Sequence, residues 1–92
     1  MKKTETWSNV KKTLNITKEQ EAEIRLEEEL IEATIAVRNS KNLSQRDLSL
    51  LTMIPQSTIA RIETGTVSPR VETLNKLLLA MGYRLKIVEL ER

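Results

Sequence analysis

The spacing of apolar positions divides this chain into five helical stretches and one alternating tail. Trp7, Val10 and Leu14 recur at i, i+3 and i+7 in an otherwise polar segment. That is the stripe of a short helix, too small to persist in water unless it docks on something. Thr17-Lys18-Glu19-Gln20 is a capping box, in which the Thr17 hydroxyl accepts from the Gln20 amide and Gln20 reaches back. It opens a long helix to about Asn39. Acidic residues crowd its first turns, where the helix dipole favours them. Its apolar residues come late (Leu30, Ile31, Ala33, Ile35, Ala36, Val37), so the first half is expected to project and the second half to pack.

Ser44-Gln45-Arg46-Asp47 is a second capping box, with Leu43 and Leu48 spaced as a hydrophobic staple. The helix it starts ends near Leu51. Pro55 fits the first turn of the next helix, where its missing N–H costs nothing. Ile59 and Ile62 give that helix an inward face, and Gly65 offers a left-handed stop. Ser68 and Pro69 are expected to cap and open a further helix with a core stripe of Val71, Leu74, Leu77, Leu78 and Met81, closed by Gly82. From Tyr83 to Leu90 the pattern alternates at first and is rich in β-branched residues, which reads as a strand. The chain holds no second strand, and an unpaired edge is costly. Pairing with the same strand of a second copy about a two-fold axis is the economical solution. A homodimer through Tyr83, Leu85 and Ile87 is therefore expected. The chain divides into a Trp-bearing segment (1–16), a helical domain with an acidic leading helix (17–82) and the tail (83–92).

Composition narrows the function. Ninety-two residues suit one small domain. The absence of cysteine and histidine removes disulfides, the usual transition-metal ligands and the common nucleophile–base dyads. An enzyme is disfavoured, and no cofactor, metal or small-molecule substrate is expected. Glu27, Glu28 and Glu29 point in different directions on a helix and resemble solvated decoration more than an acid–base pair. No apolar run approaches the roughly 18 residues of a membrane span, and the N-terminus lacks a signal-peptide core, so cytoplasmic residence is expected.

The net charge of +2 is uninformative, but its distribution is not. From Arg38 to Lys86 eight basic residues face three acids, whereas from Glu19 to Glu32 seven acids face one Arg. A basic block beside an acidic one points to two partners, one of them polyanionic.

Within the basic block, LSQRDLSLLTMIPQSTIARIETG (43–65) reads as two short helices joined by a tight turn. The second opens on Gln56, Ser57 and Thr58 and carries Arg61. Short polar side chains and a guanidinium fork at the head of a helix are what major-groove reading requires. The run L-S-Q-x-x-L, then Q-S-x-I-x-R-x-E-x-G, then P-x-x-x-T-L resembles the helix-turn-helix of the Xre/Cro/phage-repressor family, from about Leu30 to Met81.

The resemblance implies a mainly α, five-helix, lambda-repressor-like domain with a C-terminal dimerisation strand, binding operator DNA. It places Gln56 and Ser57 on base edges and lets Arg61 reach a base, as a DNA-base residue, or a phosphate; Gln45 at a helix head, with Ser44, Thr58 and Arg70, is a candidate for phosphate. It also implies a structural ion pair between Arg38 and Glu63.

This chain departs from the family at three places. Met53 stands where the turn usually has glycine, so the backbone there is either left-handed at a cost of about 1 to 2 kcal/mol or reshaped. Ser49 replaces a frequent alanine, a change of one oxygen. Pro55 replaces a frequent hydroxyl cap.

The whole layout is similar to HigA-type antitoxins, which neutralise a RelE-like ribonuclease toxin of the HigB type and repress their own operon. By that resemblance Trp7, Val10, Leu14, Glu27 and Glu28 are candidate toxin contacts, a large aromatic beside acids suiting a basic partner. Trp7 folding back on its own core is the equal alternative. A stand-alone dimeric repressor without a toxin is the alternative function. An interaction module that no longer binds DNA is disfavoured by the intact polar head of the second helix.

Overall fold

The computed structural model describes residues 17–90. Four helices are present among them: α1 (Lys18–Ser40), α2 (Gln45–Thr52), α3 (Gln56–Glu63) and α4 (Val71–Ala80). The fifth helix expected within 1–16 lies outside the described residues, as do Trp7, Val10 and Leu14.

Both capping boxes form. The Thr17 hydroxyl accepts from the Gln20 amide at 3.0 Å while Gln20 Oε1 accepts from the Thr17 amide at 2.9 Å. At Ser44 and Asp47 the same exchange occurs at 2.9 Å in both directions. Three of the four helices stop in the same way, because a left-handed residue lets two amides turn back on the last carbonyls. After α3 it is Gly65 (φ 75°), with the Thr66 amide on the Arg61 carbonyl at 2.9 Å. After α4 it is Gly82 (φ 88°), with the Tyr83 amide on the Leu78 carbonyl at 2.8 Å. After α1 it is Asn42 (φ 58°), with the Leu43 amide on the Arg38 carbonyl at 3.2 Å. Asparagine tolerates this conformation better than other residues with a Cβ.

The core gathers Ile31 of α1, Leu48 of α2, Ile54 of the turn, Ile59 and Ile62 of α3, and Leu77, Leu78 and Met81 beside α4, with Leu74 also buried. Leu43 packs against it, so the staple with Leu48 closes. Only Ile31 and Thr34 of α1 are buried, and its first half stands clear of the core as its polar sequence requires.

Three expectations are corrected. Helix α4 begins at Val71, not at Ser68-Pro69, because the Ser68 hydroxyl donates to the Glu27 carboxylate of α1 and caps nothing. Val71 then falls in the exposed first turn, 72% accessible, outside the stripe it was placed in. No strand forms among the described residues, and 83–90 leave the domain as an irregular segment. A strand exists by its ladder, and the described residues supply no second rung. The segment's first amide is committed to the end of α4, and Leu85 packs against the chain's own core.

Candidate nucleic-acid interface

Helices α2 and α3 are held from behind by one buried cluster. Arg38 spreads its guanidinium over three acceptors: Nε to Glu63 Oε2 at 2.7 Å, Nη2 to Glu63 Oε1 at 2.8 Å, and Nη1 to the Leu43 carbonyl at 2.8 Å. Gln45 Nε2 adds a fourth bond, to Glu63 Oε1 at 3.0 Å. The side chains of Arg38 and Glu63 are only 13% and 7% exposed. Burying a carboxylate is affordable only when its lone pairs are filled, and here three N–H donors fill them. The cluster joins α1, the start of α2 and the end of α3, so it sets the angle between the two motif helices. The ion pair expected from the family resemblance is therefore formed. Gln45, expected on a phosphate, is half-buried and turned back to this cluster with one of its two amide hydrogens.

The turn between the helices is left-handed at Met53 (φ 62°, ψ 16°), and its side chain is 86% exposed. The cost of that backbone is therefore not offset by burial. Hydroxyls surround it instead. The Met53 amide donates to the Ser49 carbonyl at 2.8 Å, and the Ser49 hydroxyl donates to the Ile54 carbonyl at 2.6 Å. The Ile54 amide donates to Thr52 Oγ1 at 3.3 Å, and that hydroxyl donates to the Leu48 carbonyl at 2.8 Å.

Past the turn, Pro55 occupies the cap position of α3 rather than its first helical residue, and no side chain caps that helix. The Pro55 carbonyl takes the amides of Thr58 and Ile59 at 3.0 and 3.1 Å. Gln56 and Ser57 are the first two residues of the helix, and no side chain caps their end of it. Ile59, Ile62 and Glu63 point inward, which leaves Gln56, Ser57 and Arg61 exposed on the opposite face. Arg61 makes no ion pair among the described residues. Thr58 is half-buried at the edge of this face. Ser44 is exposed at the head of α2, its oxygen occupied by the cap. Arg70 is exposed at the cap position of α4. The Asp47 carboxyl is held below its ordinary range first by the Ser44 backbone N–H and then by the Ser44 hydroxyl, against a small opposing effect of burial and with help from the Arg46 charge.

The remaining candidates divide. Glu27 shares the inward stripe of Ile31, Thr34 and Arg38 and accepts from Ser68, so it faces its own domain. Glu28, one position on, is half-buried and has a partner of its own. Tyr83 lies under the Lys41 ammonium, 5.8 Å from ring centroid to Nζ. Ile87 is 98% exposed, and with Val71, Arg84, Leu85 and Lys86 it borders a shallow cleft. Sequence reasoning missed the bond from Gln45 to Glu63 and the hydroxyl bracket around Met53. The only signal for the latter was the coincidence of an unusual serine and an unusual methionine within one turn. No helix among the described residues is long and apolar enough to cross a membrane.

A protein of Haemophilus influenzae described as an uncharacterized HTH-type transcriptional regulator is 44% identical over 61 residues, which are 66% of this chain and 62% of that protein. The match thus spans less than two thirds of the relative's length. A solved chain described as a toxin–antitoxin module from Streptococcus pneumoniae superposes with a TM-score of 0.66 at 35% identity, covering 92% of each chain. The family model for the helix-turn-helix matches residues 35–88, from the last turns of α1 through the segment after α4. With more than half of its length matched and the two motif helices in place, the chain belongs to the helix-turn-helix family.

Proposed function

We propose that this protein is a sequence-specific DNA-binding antitoxin, which represses its own operon and neutralises a ribonuclease toxin of the RelE-like, HigB type by direct binding. The observation that carries the DNA half is the exposed, uncapped head of α3. Gln56, Ser57 and Arg61 share a face that its buried residues do not use. In this reading Gln56 pairs with adenine and Arg61 with guanine, while Ser57 contacts a base edge. Ser44, Gln45, Thr58 and Arg70 hold phosphates on either side. Gln45 serves with the amide hydrogen that Glu63 leaves available.

The toxin half is supported by similarity along nearly the whole chain to the Streptococcus pneumoniae module, rather than along the DNA-binding motif alone. Trp7, Val10, Leu14 and Glu28 are the assigned contacts. Glu27 contributes only if it leaves Ser68. A second copy covers Ile87 and its apolar neighbours Val88 and Leu90, which are 73% and 83% exposed here. Leu85 and Tyr83 form the base of that contact. The relative described as a transcriptional regulator favours a second reading, a stand-alone dimeric repressor with the same DNA chemistry and no toxin.

The two are separated by tagged purification from native cells. A small basic protein recovered in stoichiometric amount supports the antitoxin. Self-association alone, under conditions that retain DNA binding, overturns it in favour of the repressor.

A further inference from the structure

The left-handed residue between α2 and α3 decides where the head of α3 points, because Met53, Ile54 and Pro55 are the whole connection between them. In this chain the residue is a methionine, whose Cβ crowds the following carbonyl. Nothing in the core compensates, since its side chain is in solvent. A strained turn persists only when its surroundings over-determine it. Here a single residue brackets it. Ser49 accepts the Met53 amide on its carbonyl and donates its hydroxyl to the Ile54 carbonyl, so both sides of the strained unit are fastened to one point on α2. Thr52 holds the Ile54 amide, and both polar groups of that backbone unit are thus engaged by α2 hydroxyls.

We propose that Ser49 is a positioning residue for DNA reading: its hydroxyl, bonded to the Ile54 carbonyl, fixes the aim of α3 that a left-handed Met53 leaves strained. Ser49 touches no DNA itself. The proposal rests on the reading that α3 faces base edges. It makes the two departures from the family pattern a compensating pair: the serine is needed because the glycine is missing.

The test is a two-by-two set of the wild type, Ser49→Ala, Met53→Gly and the double variant, each checked for helix content by circular dichroism. The wild-type chain first selects a duplex from a randomised pool. Affinities for that duplex and for a scrambled duplex of the same composition are then measured by fluorescence anisotropy at one salt concentration. Ser49→Ala is expected to lower the selected-to-scrambled ratio about three- to tenfold, the scale of one hydrogen bond. Affinity for the scrambled duplex should stay unchanged, because no phosphate-binding charge is removed. Met53→Gly keeps the ratio, and the double variant recovers it to within about twofold, the scatter of independent sites.

An unchanged ratio in Ser49→Ala overturns the proposal. Equal loss with and without Met53→Gly overturns it also, as does a Ser49→Ala chain that is unfolded in both backgrounds. A wild-type chain that prefers no duplex defeats the DNA-reading assignment itself, and does so before any substitution is introduced.

Discussion

Helices α2 and α3 are both eight residues long, sit side by side and begin in opposite ways. The start of α2 is closed by a side-chain cap, with Ser44 and Asp47 exchanging two hydrogen bonds that answer each other's amides. The start of α3 is open, with a proline at the cap and no side chain on its leading amides. A capped helix stabilises the fold, whereas an uncapped one leaves oriented N–H groups and a positive dipole end for something outside the molecule. The same sequence length therefore yields a supporting helix and a presenting one. What makes the open start tolerable is the cluster behind both helices, where Arg38 and Gln45 saturate the Glu63 carboxylate.

The comparison can be broken most severely at that cluster. Arg38→Ala strands a carboxylate that is 7% exposed, and the expected loss is about 3 to 5 kcal/mol of stability in urea unfolding. A loss under 1 kcal/mol would show that the two helices hold their angle without it.

Next in size are changes on the open helix, which should spare the fold and alter reading. Gln56→Ala or Arg61→Ala is expected to cost about 1 to 3 kcal/mol of discrimination at one base position. The unfolding midpoint should stay nearly unchanged, as befits exposed positions. Competition binding against single-base operator variants measures this, and a uniform loss over all sequences would move the residue to the phosphate group.

On the closed helix the reverse is expected. Ser44→Ala removes the cap and about 1 kcal/mol of stability, while the relative preference among DNA sequences stays the same.

The smallest effect is the pH dependence of that cap. Folding lowers the Asp47 pKa, chiefly through the Ser44 backbone N–H. Its contribution to stability is therefore complete above the ordinary carboxylate range and fades as pH falls through that range and below it. Asp47→Asn should reduce the difference in stability between neutral and acid pH. An unaltered difference in urea titrations at the two pH values would remove Asp47 from the cap's energetics.

Much of this was legible along the chain because it is local. A capping box is written in four consecutive residues, and both were found where Thr17 and Ser44 announced them. Gly65 and Gly82 marked helix ends because a positive φ favours the residue without a Cβ. The pairing of Arg38 with Glu63, 25 residues apart, was available only through the family resemblance, since no local rule joins such positions. Ser68 was misread for the opposite reason. Its local signature of a cap was sound, but its hydroxyl is bonded to a carboxylate from α1 instead of to the amides it was meant to serve. Val71 followed Ser68 into error, because moving the start of α4 turned its first apolar residue outward.

The tail sets the limit of such reasoning. Alternation from Tyr83 onward signals readiness for a ladder, and readiness becomes a strand only when a second strand donates and accepts.

By itself the sequence determined where the helices lie, the capping boxes at Thr17 and Ser44, the glycine stops and the polar character of the α3 head. Each of these is a matter of hydrogen bonds and dihedral preferences among near neighbours. Tertiary structure alone decided which polar residues face outward and which are consumed within. It turned Gln45 to Glu63, Glu27 to Ser68 and Ser49 to Ile54, because a hydrogen-bonding group goes to whichever partner folding brings within about 3 Å, and sequence distance does not enter that choice.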